Sequence, residues 1–226
     1  MAVIVTGASR GIGKATALAL AARGVSVGLL GRPSAALEET LASVRGAGVR
    51  AEPIHCDLRD PAQIEGAGSR ILGLFGAPDA LVNNAAVIHR KTIEESSCED
   101  WDEQLEINLR APFLLTRRLL GAMRAAGRGR IIHVASISAT LGAPGAAAYC
   151  ASKWGLVGFM KSLAEEIADT GLMTLAILPG SVDTEMLQGS GFSPRMSPDH
   201  VARTIVYHAL DAPLAHNGGV VEMFGV

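Results

Sequence analysis

The sequence predicts an α/β fold: a doubly wound, seven-stranded parallel sheet with helices on both faces. Short apolar runs alternate with helix-length segments throughout the 226 residues. Those runs are apolar at successive positions, the pattern of strands covered on both faces. Hydrophobic residues make up 49% of the chain and charged residues 19%, below the roughly 25% usual for globular proteins, so one large core can be buried.

A strand over 3–5 leads into a glycine-rich turn and a helix over 12–23, stopped at Gly24. A strand over 25–30 is followed by a helix over 34–47 that ends before Gly48. The strand over 50–56 precedes a helix over 61–75; Pro61 suits its first turn, where a missing N–H removes no intrahelical bond. After a strand over 80–83 comes the longest stretch of helical spacing, 100–125, closed by Gly127. A strand over 131–135, a helix over 149–169 before Gly171, and a strand over 173–178 continue the alternation. A helix over 198–210, opened by Pro198, and a strand over 220–224 complete it. Such repetition implies right-handed crossovers between parallel strands. No linker, charge run or low-complexity stretch interrupts 1–226, so a single domain is expected.

The net charge of −2 and pI near 6.3, without a block of like charges, speak against a nucleic-acid partner. No run of about 18 uncharged apolar residues suggests a membrane span, and the opening Ala2-Val3-Ile4-Val5 suggests no signal peptide. Cys56, Cys98 and Cys150 are odd in number and never spaced C-x-x-C, which fits a reducing cytoplasm. The six histidines form no H-x-x-x-H or H-E-x-x-H pair, so no metal is assigned.

Chemistry enters first at Thr6-Gly7-Ala8-Ser9-Arg10-Gly11-Ile12-Gly13, between the first strand and the first helix. Glycines there let a pyrophosphate approach backbone N–H groups at the positive end of a helix. The spacing is G-x-x-x-G-x-G, not G-x-G-x-x-G, and an ordinary strand-to-helix connection could share it. Gly7-Ala8-Ser9-Arg10-Gly11 also matches the G-x-S-x-G elbow of a serine hydrolase, with Ser9 as nucleophile. Against that reading, few residues precede the match to supply an oxyanion hole.

Tyr149-Cys150-Ala151-Ser152-Lys153 opens the helix over 149–169 and places Tyr149 and Lys153 on one face. A phenol with a pKa of about 10 is a poor acid–base catalyst near neutrality, and a fixed cation lowers that value. A surface pair has the same spacing. Ser136 follows the strand over 131–135, and Asn108 lies in the long helix before it. The C-terminal ends of parallel strands line one crevice, so Asn108, Ser136, Tyr149 and Lys153 can converge beside the glycine-rich turn.

Together with Asp57, Asn83-Asn84-Ala85-Ala86 and Pro179-Gly180-Ser181-Val182-Asp183-Thr184, these motifs have the order and approximate spacing of the short-chain dehydrogenase/reductase family, which the sequence resembles from its first strand to its last. The resemblance implies a Rossmann fold and reversible hydride transfer between a nicotinamide cofactor and a ketone or secondary alcohol. It implies that Tyr149 exchanges the proton, Ser136 hydrogen-bonds the substrate oxygen, Lys153 lowers the Tyr149 pKa and holds the ribose, and Asn108 positions a water. Cofactor contacts are implied for Gly7, Ser9, Arg10, Gly11, Ile12, Gly13, Gly31, Arg32, Asp57, Asn83, Ala85, Tyr149, Lys153, Pro179, Gly180, Val182 and Thr184. Ser138, two positions short of the Ser136 spacing, is assigned to the substrate.

Ala86 replaces a glycine common in the family, the tail lacks the frequent Asp-Gly-Gly ending, and the basic signal at Arg128 and Arg130 is partial, so a 3-oxoacyl thioester is not favoured over other carbonyl compounds. Gly31 stands where NAD-binding members place an acid, and Arg32 and Arg10 suit a 2′-phosphate, so NADP(H) is expected. Met186, Leu187 and Phe192, in a long connection over 179–197, are expected to contact an apolar part of the substrate, although a subunit interface would use the same residues. The family's pairing of long helices implies a homodimer or homotetramer. Besides a carbonyl reductase or alcohol dehydrogenase, a non-catalytic NADP-binding sensor or interaction protein on the same fold is the alternative, though it would not need all four polar residues.

Overall fold

A computed structural model describes residues 1–225. β1 (Ala2–Thr6), α1 (Gly11–Ala22), β2 (Ser26–Gly31), α2 (Ala35–Gly46), β3 (Ala51–His55), α3 (Pro61–Phe75) and β4 (Ala80–Asn83) form the first half. α4 (Cys98–Leu105), α5 (Ala111–Ala125), β5 (Gly129–Val134), α6 (Ala147–Glu166), β6 (Leu172–Pro179), α7 (Pro198–Leu210) and β7 (Gly219–Met223) form the second. The seven strands make one sheet in the order β3-β2-β1-β4-β5-β6-β7, every pairing parallel. The chain winds outward from β1 to β3, then returns to lay β4 beside β1. This reversal opens a crevice at the C-terminal ends of β1 and β4, the place where such sheets bind ligands.

Alternate side chains leave opposite faces of each strand. Val3, Val5, Val27 and Leu29 pack with Leu20 of α1, Leu37 of α2 and Ile205 of α7, whereas Ile4, Leu30, Leu81 and Ile131 pack with Ile71 of α3, Leu119 of α5 and Leu163 of α6. Burial is complete along β1 and β6 but partial along the edge strands β3 and β7. No helix among the described residues is long and apolar enough to cross a membrane.

Three sequence expectations are corrected. The helix over 100–125 is two α-helices, with a π-helical turn at Glu106–Arg110 between them. There the Ala111 N–H reaches the Glu106 carbonyl, five residues back, and Pro112 has no N–H to return to the Asn108 carbonyl. The helix over 149–169 starts at Ala147 and ends at Glu166, and the chain then turns through Asp169, whose φ is +60°. The connection over 179–197 has structure of its own. Glu185–Leu187 forms a 3₁₀ turn, and Val182 and Met196 pair as a parallel bridge that ties the connection's two ends.

Candidate active site

The glycine-rich turn is held open by backbone demands that side chains would violate. Gly7 has φ +66°, and a Cβ there would lie 2.9 Å from the Ala85 Cα. A Cβ on Gly13 would lie 2.2 Å from the Gly7 carbonyl oxygen. Thr6 and Asn84 brace the turn. The Thr6 hydroxyl accepts from the N–H groups of Asn84 and Ala85 at 2.9 and 3.0 Å, and the Asn84 amide donates to the Thr6 carbonyl at 2.9 Å.

Side chains cap α2, α3, α4 and α7, but Arg10 gives α1 no such hydrogen bond, and its first turn holds no acid. Its first N–H groups therefore remain available to an anion. A pyrophosphate fits this cradle. Ile12 is partly buried against the core, and Ser9 faces α2, its carbonyl accepting from Thr40 at 3.4 Å. Among the described residues the Ser9 hydroxyl bonds to no histidine, so nothing supports the hydrolase reading.

Across the crevice, Pro179 ends β6, the Gly180 N–H donates to the Met223 carbonyl at 2.8 Å, and Val182 is buried. Thr184 stands over Gly11, its Cγ2 3.3 Å from where a Cβ on that glycine would be. Gly31 ends β2, with the exposed Arg32 next in the chain. Asp57 follows β3 but is gripped by Arg59, whose Nη2 lies 2.6 Å from its Oδ2, and that pairing holds its carboxyl below the usual range. Arg10 is ion-paired with Glu185 from the loop after β6. Asn83, an expected cofactor contact, turns its amide inward to Thr116 and His133, each at 3.4 Å. It is Asn84 that faces the turn.

Tyr149 and Lys153 lie in the first turns of α6, both buried. Burial pushes the Tyr149 phenol up to about 12, against the opposing influence of a hydrogen bond from Ser136 and then the charge of Arg90. Lys153, which the resemblance expects to lower it, lies across the phenol ring. Its ammonium donates to the Val134 carbonyl at 3.0 Å, lies 5.5 Å from the centre of the phenol ring, and is itself pushed down to about 7 by burial.

Ser136, extended at φ −171°, accepts from the Ser138 N–H at 3.1 Å, so Ser138 holds Ser136 through its backbone. Asn108 is fully buried, and its side chain is spent on structure. It accepts from the Val87 N–H and donates to the Val87 carbonyl, both at 2.9 Å, and donates to Ser152 at 3.0 Å. Ser152 in turn donates to the Tyr149 carbonyl at 2.7 Å. Ser152 and Asn84 were not singled out in the sequence, although each lies inside a quoted motif.

At the mouth, the Met186 sulfur lies 4.0 Å from the Tyr149 hydroxyl, while Leu187 is half-buried beside it. Phe192 is 66% exposed and does not reach the phenol. Arg90 donates to the Met186 carbonyl at 3.2 Å. No aspect of the sequence pattern had marked it. No cluster of three or more metal-ligating side chains occurs among the described residues.

An open glycine-rich turn at the reversal of a parallel sheet, with Ser136, Tyr149 and Lys153 at the end of β5, defines an oxidoreductase site. A family model described as short chain dehydrogenase matches residues 1–192. A 3-oxoacyl-[acyl-carrier-protein] reductase of Synechocystis sp. is 34% identical over 226 residues, spanning 96% of this chain and 92% of that protein. A reductase of the same name from Escherichia coli is 39% identical over 190 residues, spanning 81% and 74%. The crystal structure of levodione reductase matches with a TM-score of 0.93 at 28% identity, covering 99% of this chain and 96% of that one. The chain belongs to the short-chain dehydrogenase family.

Proposed function

We propose that this oxidoreductase is an NADP(H)-dependent carbonyl reductase, reversible as an alcohol dehydrogenase, with Asn108, Ser136, Tyr149 and Lys153 as its working set. The carrying observation is the buried Tyr149 phenol on α6, with the Lys153 ammonium 5.5 Å from its ring centre and Ser136 at the end of β5. The nicotinamide, when bound, supplies the hydride in reduction and takes it in oxidation.

The chain supplies the proton and the geometry. With its pKa near 12, the Tyr149 phenol stays protonated at neutral pH and can donate to a carbonyl oxygen. Ser136 donates a hydrogen bond to the same oxygen as negative charge grows there. Lys153, 5.5 Å from the ring centre of the phenol, would hold a ribose hydroxyl and pass on a proton. The Asn108 side chain is occupied, so any water it positions must be held by its backbone carbonyl, which Pro112 leaves without the usual α-helical donor.

The preference for NADP(H) rests on Arg32 after β2, on Arg10, and on a Gly31 that offers no carboxylate to repel a phosphate. Met186 and Leu187 supply an apolar wall for a substrate, and 1–226 acts as a single domain. A second copy packs against α4, α5 and α6, which expose Trp101, Phe113 and Trp154 and where Leu105, Leu109, Phe113 and Phe159 line a hollow of about 700 Å³. Sedimentation of the protein tests for that dimer or a tetramer built from it.

The reaction is tested by following NADPH absorbance with ketones, quinones, sugars and 3-oxoacyl thioesters, the last because two relatives are named for such a substrate. Cofactor binding without turnover of any of them would point to the sensor alternative.

A further inference from the structure

Arg90 sits on a segment pinned from both sides. The backbone of Val87 is clamped by Asn108, the His89 N–H donates to Gln104 at 3.1 Å, and the Lys91 N–H donates to the Gly145 carbonyl at 3.0 Å, four residues before Tyr149. Between these anchors the Arg90 guanidinium reaches the Met186 carbonyl, and the sulfur of that same methionine faces the Tyr149 hydroxyl. Cation and phenol thus stand on either side of one methionine.

The neighbouring charges are already matched. His89 pairs with Glu103 at 2.7 Å, Lys91 with Asp100 at 2.6 Å, and Glu185 with Arg10. Arg90 has no carboxylate partner among the described residues; its one hydrogen bond is to a carbonyl, which uses a single N–H of a five-donor fork. Arg90 is exposed at the mouth, and a planar fork with free donors beside a reacting position matches a carboxylate.

We propose that Arg90 determines substrate specificity by holding an anionic group of the substrate, so that the enzyme acts preferentially on oxo acids whose carboxylate lies a few bonds from the carbonyl. This rests on the carbonyl-reductase reading. Met186 and Leu187 then cover the methylenes between the two polar ends.

The test compares 3-oxobutanoate, 4-oxopentanoate and 5-oxohexanoate with their methyl esters, using NADPH and the full chain. The wild type is expected to show kcat/KM at least about tenfold higher for one acid than for its ester, mainly through KM. In Arg90→Gln that ratio is expected to collapse toward one, while Arg90→Lys keeps part of it. Because the ratio compares two substrates in one protein, a displaced loop does not mimic the effect.

A second readout needs no turnover. 5-Hydroxyhexanoate, which cannot react with reduced cofactor, is titrated calorimetrically into the NADPH-loaded protein beside its methyl ester. A ratio near one in the wild type by both readouts, or a ratio unchanged in Arg90→Gln, overturns the proposal. So does an Arg90→Gln effect confined to thioesters on an acyl carrier protein, which would make Arg90 a protein-docking residue. Absence of any reduction, with the acid still bound more tightly than the ester, would refute the reductase reading and leave the anion site standing.

Discussion

Lys153 donates its ammonium to the Val134 carbonyl at 3.0 Å, not to the phenol of Tyr149, whose ring centre is 5.5 Å away. A lysine about 1% exposed, with one carbonyl for company, resists protonation. Its folded-state pKa of about 7 is below the ordinary 10.5, so the unfolded chain binds a proton that the folded chain lacks between those values. Stability from this group is fully present above about 10.5 and is lost as pH falls from there to about 7. The clean window is pH 7 to 9, because above it the Cys56 thiol, raised to about 11 by burial, changes stability in the opposite sense. The urea midpoint is expected to rise from pH 7 to 9, and to rise less in Lys153→Met. Parallel curves for the two proteins would show that Lys153 titrates normally.

Tyr149→Phe keeps the buried ring and removes the proton donor. Turnover is expected to fall by at least about 10²-fold, the low end of general acid catalysis, with NADPH binding nearly unchanged. Fluorescence titration of the cofactor beside steady-state rates separates the two effects. Wild-type turnover in a folded variant would remove Tyr149 from the mechanism.

His133 carries a second buried titration. It lies on β5 at 0% exposure with its Nε2 unpartnered, and burial, aided by the Lys153 charge, lowers its pKa to about 3. Its contribution is present above the unfolded value of about 6.5 and is lost as pH falls toward 3. His133→Leu is expected to flatten the loss of stability between pH 6.5 and 5, above the range where paired carboxylates such as Asp57 titrate. His208, whose pKa is also lowered by burial, keeps some slope in the variant. A variant as acid-sensitive as the wild type would place the proton uptake elsewhere.

The strands and the parallel, doubly wound class of the sheet were legible because strands buried on both faces leave continuous apolar runs; the strand order was read only from the structure. The break at Glu106–Arg110 was not legible, since a π turn inserts a single residue, too small an offset to stand out in a long run of helical spacing; Pro112 was the local sign. The roles of Asn83 and Asn84 depend on which way two adjacent amides point at a strand end, and one step along a strand reverses direction. Arg90 was invisible because its meaning lies in lacking a partner, which only the positions of Glu103, Asp100 and Glu185 reveal.

Cofactor choice gives three variants with separable outcomes. Arg32→Ala removes a charged hydrogen bond to a 2′-phosphate and is expected to weaken NADPH at least about tenfold, with little effect on NADH, which lacks that phosphate. Gly31→Asp is sterically open, since a Cβ there meets only Leu37 methyls at 3.9 Å. The added carboxylate repels the phosphate and accepts from a free 2′-hydroxyl, so preference should reverse toward NADH. Glu185→Gln acts through Arg10: the carboxylate now pairs with that guanidinium and competes with a phosphate for it. An exposed ion pair is weak, so releasing Arg10 is expected to tighten NADPH only about two- to fivefold. Values of kcat/KM and Kd for both cofactors across the wild type and the three variants decide the matter. A wild type that favours NADH, or an Arg32→Ala that loses both cofactors equally, would mean that Arg32 reads no phosphate.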